Sequence, residues 1–145
     1  NTDDNRRMKS LLESFDKMAL PVKFAIHPRT FKNISSFLVL SDFRNIQFSK
    51  PLSYFDTIRT IYNSKMVITD SGGLQKEAYM LKKKCITIRS ETEWEETLAN
   101  GWNTLVFEDF EDLFNVEHLP VGKYVDVLYG NGNAAKQIMD ILEGI

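Results

Sequence analysis

The stretch that decides the fold is MVITDSGGLQKEAYML, residues 66–81. Its first four residues, Met66–Thr69, are typical of a buried strand, and an Asp-Ser-Gly-Gly turn leads directly into a helix-forming run at residues 73–81. A strand followed at once by a helix is typical of a βαβ unit, in which helices cover a parallel sheet. The stretch therefore predicts an α/β fold.

The rest of the chain repeats this alternation. Further strands are predicted at residues 22–26, 45–48, 85–88 and 103–107, and helices at residues 31–38, 51–62, 92–98 and 133–142. Apolar residues 8, 11, 12, 15 and 18 lie on one face of a first helix, which Thr2 or Asp3 caps and Pro21 ends. No linker or repeat interrupts the pattern, so we expect one doubly wound, Rossmann-like parallel sheet.

Composition excludes several classes of protein. The 145 residues suffice for one domain, and the net charge of −2 offers no basic surface for nucleic acid or an anionic membrane. No apolar run reaches the ~18 residues of a transmembrane helix, which favours the cytoplasm. The single Cys85 is predicted to be a small buried hydrophobe, and no His or Cys spacing indicates a metal or another cofactor. Because the chain opens on Asn1 without a methionine, we expect a fragment of a longer protein.

The turn at residues 70–73 has the features of a nucleotide site. Ligands of such sheets bind beyond the carboxyl ends of the strands. Ser71 can cap the helix, and Gly72 and Gly73 carry no side chain that would keep a phosphate from the unpaired first-turn N–H groups. Glu77 would repel phosphate, but one and a half turns further on it could accept both hydroxyls of a ribose. A tight turn followed by a solvated glutamate is the alternative, and spacing alone does not decide.

Three motifs carry a family resemblance. TDSGGLQKEA (residues 69–78), RSETEWEE (89–96) and YGNGNAAKQI (129–138) correspond to TDSGGxQEEA, RxxTERPE and PYGxGxAxxxI in the bacterial non-hydrolysing UDP-N-acetylglucosamine 2-epimerases. PLSYFDT (51–57) is similar to the family's PLxYxxF, and Asn1 is similar to the last letter of HRxEN. The chain thus resembles the C-terminal domain of these enzymes, one half of a two-domain GT-B-type architecture. DSGG favours the non-hydrolysing branch over the sialic-acid branch, whose loop is rich in serine.

The resemblance implies roles for particular residues. It assigns UDP-binding roles to Ser71, Gly72 and Gly73 at the phosphates, Glu77 at the ribose, and Leu52 and Thr57 near the uracil. Thr57 stands where the family has an aromatic residue, which leaves stacking on uracil open. Trp94 replaces the arginine of TERPE and is a further candidate, as is His27, which could face the cleft or make a structural hydrogen bond.

The resemblance also implies a reaction whose acids and bases lie outside this chain. The family inverts C2 of a UDP-hexosamine by eliminating UDP and adding it back, using N-terminal carboxylates and the histidine of HRxEN. We therefore expect no catalytic residue here, UDP or a UDP-amino sugar as ligand, an absent N-terminal domain as partner, and a full-length protein that could form a homodimer. TEW followed by GWN is similar to epimerases of UDP-diacetamido uronic acids. A GT-B glycosyltransferase domain and a non-catalytic nucleotide-sensing domain are the alternatives.

Overall fold

A computed structural model describes residues 4–111, 113, 118, 120–126 and 128–144. The strands are β1 (Val22–Ala25), β2 (Ile46–Ser49), β3 (Met66–Thr69), β4 (Lys84–Thr87) and β5 (Asn103–Leu105). The helices are α1 (Asn5–Lys17), α2 (Pro28–Ile34), α3 (Tyr54–Asn63), α4 (Gly72–Met80) and α5 (Ala134–Glu143), and shorter 3-10 helices span Leu40–Asp42 and Glu95–Gly101. This alternation confirms the predicted α/β class. None of the described helices is long and apolar enough to cross a membrane.

The described strands form two parallel sheets. β1 pairs with β2, with Val22 opposite Ile46, while β3, β4 and β5 form the second sheet in that order. The pairing is parallel throughout, as the βα alternation predicts. However, no ladder joins β1 to β3 within the described residues, so the one continuous sheet expected from the sequence is divided between these two strands.

The first helix has the predicted apolar face and a different cap. Asp4 is its N-cap, and the Asp4 carboxylate accepts hydrogen bonds from the backbone N–H groups of Arg7 (3.1 Å) and Arg6 (2.9 Å). These bonds, that from Arg7 above all, lower the pKa of Asp4. The predicted caps, Thr2 and Asp3, lie outside the described residues. Asp4 takes this role because its carboxylate reaches two first-turn donors at once.

The core lies between α1 and the two sheets. The buried apolar face of α1 packs with residues of both sheets and of the chain that follows β5, and the cluster includes Leu12, Ile26, Ile34, Ile86, Val106 and Leu113. Cys85 is 1% exposed, as predicted for a small buried hydrophobe, and burial raises the pKa of its thiol to about 12.

The helix predicted at residues 92–98 does not form as such. The chain is irregular up to Trp94 and then enters the 3-10 helix Glu95–Gly101. Side-chain hydroxyls supply the backbone with other partners, because Thr92 Oγ1 accepts the Trp94 N–H (3.1 Å) and Thr97 Oγ1 donates to the Trp94 carbonyl (2.7 Å). These bonds hold Trp94 at the corner where the loop meets α4.

Candidate functional site

The β3–α4 junction is a two-residue turn at the carboxyl end of β3. Ser71 occupies the N-cap position with an extended backbone, and its N–H donates to Thr69 Oγ1 at 3.0 Å. Its hydroxyl makes no capping hydrogen bond, so the predicted side-chain cap is wrong. The hydroxyl lies instead at the surface, since Ser71 is exposed. The first-turn N–H groups of α4 therefore have no side-chain cap and face the site as donors.

The two glycines of this turn have different surroundings. A Cβ on Gly72 would lie 3.1 Å from Trp94 Nε1 and 3.3 Å from Glu93 Oε1, closer than ordinary contact. A Cβ on Gly73 would have Ser71 Oγ, 3.9 Å away, as its nearest neighbour outside its own helix. Gly72 is thus required in part by packing against residues 93–94, whereas Gly73 faces open space at the start of the helix.

Trp94 places a hydrogen-bond donor beside this turn. The Nε1 atom of its indole is buried and has no hydrogen-bond partner within the described residues. Lys76 Nζ lies 3.7 Å from the centre of the Trp94 ring, a cation–π distance. An indole N–H can only donate. Trp94 therefore offers one unused donor next to Gly72.

Glu77 lies on the same side of α4 as Gly73, because residues four apart on a helix are neighbours. Its side chain is half-buried, and its carboxylate forms no hydrogen bond or ion pair with any residue that the structure describes. Helix α4 thus presents open N–H donors at its first turn and an unengaged carboxylate one turn later.

A buried polar network fixes the loop that carries Trp94, and the sequence analysis missed it. Gln75, fully buried, accepts hydrogen bonds at Oε1 from Thr92 Oγ1 (2.6 Å) and Asn103 Nδ2 (3.1 Å). Asn103 Nδ2 also donates to Thr97 Oγ1 (3.0 Å), and Asn103 Oδ1 accepts from Thr87 Oγ1 (2.8 Å). Buried polar groups satisfied in this way hold one geometry. The network ties α4, the loop and two strands together behind the site.

Four of the eight predicted residues line one large cavity of about 1240 Å³, namely His27, Leu52, Thr57 and Ser71. The other four, Gly72, Gly73, Glu77 and Trp94, are not among the residues that line it.

His27 also caps α2, since its Nδ1 accepts the Arg29 N–H at 3.3 Å. His27 therefore makes the structural hydrogen bond that was one of its two predicted roles, and it also borders the cavity. Thr57 donates its hydroxyl hydrogen bond to the Ser53 carbonyl at 2.9 Å.

Metal ligands do not cluster in the described part of the chain. No group of three or more His, Cys, Asp or Glu side chains there could hold an ion. The hydrogen-bonding groups at the β3–α4 junction are the α4 N–H donors, the Ser71 hydroxyl, the indole of Trp94 and the Glu77 carboxylate, and Lys76 adds a cation beside the indole. These groups match a phosphate next to a diol.

Comparison with known proteins identifies the family. The family model described as UDP-N-acetylglucosamine 2-epimerase matches residues 1–143. The chain belongs to this family. A UDP-N-acetylglucosamine 2-epimerase homologue of Methanococcus maripaludis is 33% identical, and the match spans 100% of this chain and 42% of the relative. The UDP-2,3-diacetamido-2,3-dideoxy-D-glucuronate 2-epimerase of Pseudomonas aeruginosa is 34% identical, over 98% of this chain and 41% of that protein.

The fold of this chain matches solved structures of the family. The crystal structure of Methanocaldococcus jannaschii UDP-GlcNAc 2-epimerase in complex with UDP-GlcNAc and UDP superposes with a TM-score of 0.80 and 32% identity, covering 100% of this chain and 42% of that one. This agreement confirms the predicted Rossmann-like half of a GT-B-type fold. The chain spans about two-fifths of the length of these relatives.

Proposed function

We propose that residues 1–145 are the C-terminal, UDP-binding domain of a non-hydrolysing UDP-N-acetylglucosamine 2-epimerase whose N-terminal domain lies outside this chain. The whole enzyme would work in the bacterial cytoplasm and invert C2 of a UDP-hexosamine by eliminating and re-adding UDP. Its product would be a precursor of a surface polysaccharide. Catalytic acids and bases would come from the N-terminal side. The names of the relatives and the complex of the M. jannaschii enzyme with UDP-GlcNAc and UDP support this proposal.

The observation that carries the proposal is the open N-terminus of α4. The helix dipole and the unpaired N–H groups of Gly72 and Gly73 favour a phosphate at this point. The exposed Ser71 hydroxyl is free of a capping bond and can donate to the same phosphate. Glu77, on the Gly73 side of the helix and without a partner among the described residues, then accepts from the two ribose hydroxyls.

The base would lie toward the cavity. Leu52 and Thr57 border the cavity together with Ser71, so a nucleotide whose phosphates sit at α4 can extend its uracil toward these two side chains. His27, which follows the carboxyl end of β1, borders the same space. We assign Leu52 and Thr57 to the uracil and keep His27 as a further contact.

Trp94 bears on the choice of sugar. Its unpaired indole N–H stands beside Gly72, where a family arginine would offer a charged, bidentate donor. The P. aeruginosa relative, together with the TEW and GWN resemblance, supports a UDP-diacetamido uronic acid as substrate.

Titration with UDP, uridine and UMP tests the phosphate site. If the α4 N-terminus binds the phosphates, UDP binds more tightly than uridine, and Ser71→Ala weakens UDP binding by roughly tenfold, a loss of about 1.5 kcal/mol for one hydrogen bond to a charged group. Ser10→Ala, at an exposed position on α1, is the matched control and should change nothing. Equal affinities for UDP and uridine would contradict the proposal.

A further inference from the structure

The chain contains two Asn-Gly dipeptides, and they lie in different surroundings. Asn100 is followed by Gly101 and Asn131 by Gly132, and no other asparagine precedes a glycine. Glycine leaves the backbone nitrogen after an asparagine unshielded, because it has no Cβ. In such a dipeptide this nitrogen can attack Cγ, the side-chain carbonyl carbon of the asparagine, and expel ammonia. The surroundings in the fold decide which of the two dipeptides can react.

Asn100 is held by a segment that follows it in the chain. Its Nδ2 donates to the Lys123 carbonyl at 3.0 Å, and its own carbonyl accepts the Gly122 N–H at 2.7 Å. Its backbone is left-handed, with φ 57° and ψ 21°. A Cβ on Gly101 would lie 3.6 Å from the Pro120 carbonyl oxygen. The amide that would have to leave is therefore bonded, and the dipeptide is packed against this segment.

Asn131 lacks these restraints. It is exposed, and its Nδ2 forms no hydrogen bond with any residue that the structure describes. A Cβ on Gly132 would have no neighbouring atom within 4 Å, and the same holds for Gly130 on the other side. Rotation of the Asn131 backbone toward its own side chain therefore meets no packed neighbour.

The hydrogen bond that Asn131 does make favours the reaction. The Asn133 N–H donates to Asn131 Oδ1 at 3.2 Å. When the Gly132 nitrogen adds to Cγ, negative charge develops on this oxygen, and a donor already aimed at the oxygen stabilises that charge. Asn131 thus combines a free leaving amide with a polarised carbonyl.

We propose that Asn131 is a site of spontaneous deamidation, whereas the fold protects Asn100. The Gly132 nitrogen gives up its proton and bonds to Asn131 Cγ. The bond from Cγ to Nδ2 breaks, and the Nδ2 amide leaves with one proton as ammonia. One water molecule then opens the five-membered succinimide at either carbonyl, which gives aspartate or isoaspartate. Nothing is oxidised or reduced, water is the co-reactant, and the inference does not depend on UDP binding.

The product changes the charge at the start of α5. Deamidation adds one negative charge to a chain whose net charge is −2, three residues before Ala134, the first residue of the helix. The N-cap residue Asn133 makes no side-chain capping bond, and the first turn of α5 has no acidic residue. Negative charge interacts favourably with a helix N-terminus. The aspartate form should therefore hold the start of α5 more firmly than the asparagine form.

Peptide mapping by mass spectrometry tests the proposal. The protein is incubated at mildly alkaline pH, folded in buffer and unfolded in guanidinium chloride, and deamidation is followed at each dipeptide. In the folded protein Asn131 should react at least as fast as in the unfolded chain. Asn100 should react at least about tenfold more slowly than in the unfolded chain, since tenfold corresponds to about 1.36 kcal/mol of barrier, the net worth of about one hydrogen bond. The rate at Asn131 should rise with hydroxide concentration, because the attacking nitrogen must lose its proton.

Two variants serve as matched controls. Glutamine would have to close a six-membered ring, which forms more slowly than the succinimide. Ion exchange should therefore find the new acidic form absent from Asn131→Gln and still present in Asn100→Gln. Slower reaction of Asn131 in the folded than in the unfolded protein would overturn the inference, because the turn would then be restrained. Equal rates at Asn100 and Asn131 in the folded protein would overturn the protection assigned to the fold.

Discussion

Replacement of Asn103 by alanine tests whether the buried polar network holds the site loop. Asn103 makes three side-chain hydrogen bonds and is 3% exposed. Gln75 Oε1 keeps its bond from Thr92 and Thr97 Oγ1 keeps its bond to Trp94, but the fully buried Thr87 hydroxyl loses the acceptor that Asn103 supplies.

The expected cost follows from these bonds. A buried hydroxyl left with only the long contact to Cys85 Sγ (3.9 Å) costs up to about 1–3 kcal/mol, and two further bonds contribute about 0.5–1.5 kcal/mol each, which gives about 2–6 kcal/mol in the free energy of unfolding. At roughly 3 °C per kcal/mol for a domain of this size, Tm should fall by about 6–18 °C. Urea denaturation followed by circular dichroism measures the loss. Thr104→Ala, at the next position of β5, is the matched control and should cost less than about 1 kcal/mol.

A double-mutant cycle sharpens this prediction. Thr92→Ala alone leaves Gln75 Oε1 with its Asn103 donor, and Asn103→Ala alone leaves it with Thr92. The double variant orphans this fully buried oxygen and should cost about 1–3 kcal/mol more than the sum of the single variants. Additive effects, or a loss below 1 kcal/mol for Asn103→Ala, would refute the assignment of a positioning role to the network.

Three further predictions concern the glycines, the thiol and catalysis. Gly73→Ala has room for its Cβ, so it should raise the stability of the ligand-free protein by up to about 1 kcal/mol and reduce the UDP-induced rise in Tm. In Gly72→Ala the new Cβ meets Trp94, so the stability of the ligand-free protein should fall. Equal effects of the two variants in thermal melts would argue against this distinction. Because burial raises the pKa of Cys85 from 9.0 to about 12, the stability that the neutral thiol contributes is fully present below pH 9 and is lost as pH rises toward 12. Cys85→Ala should therefore flatten the dependence of the free energy of unfolding on pH in that window, as urea unfolding measures it. An unchanged dependence would contradict burial of the thiol. Residues 1–145 alone should bind UDP weakly and leave UDP-sugars unchanged in an NMR assay, and appreciable epimerisation would place the catalytic groups in this chain.

The sequence predicted the elements best where the local pattern and the tertiary structure agree. The strand at Met66–Thr69 has the predicted bounds, and α4 starts one residue before its predicted first residue. The first helix was found from its apolar spacing, because that face packs on the core. The sequence predicts a helix that begins within the loop at residues 89–94. The loop is irregular instead, because the Thr92 hydroxyl bonds to backbone and to Gln75, which no local pattern indicates.

The site was predicted only as far as motifs reach. The Ser-Gly-Gly turn and Glu77 were recognisable, since a helix N-terminus and a residue six positions later are related by local geometry. The packing of Gly72 against Trp94 and the contact of Gln75 with Asn103 join residues that lie 22 and 28 positions apart, and such pairs follow only from the fold. The division of the sheet between β1 and β3 escaped prediction for the same reason, because strand order is not local information.

Calorimetric titration of the wild-type chain and of Glu77→Ala with UDP and with 2′,3′-dideoxy-UDP tests the central claim most directly. If the phosphates lie on the α4 N-terminus and Glu77 accepts from the ribose hydroxyls, Glu77→Ala weakens UDP binding by about 1.5–3 kcal/mol and leaves the affinity for the dideoxy ligand almost unchanged. Glu91→Ala, at an exposed position in the loop before Trp94, controls for the lost charge and should affect neither ligand. Equal losses for both ligands would show that Glu77 acts structurally, and no measurable loss for either would show that the ribose does not reach it.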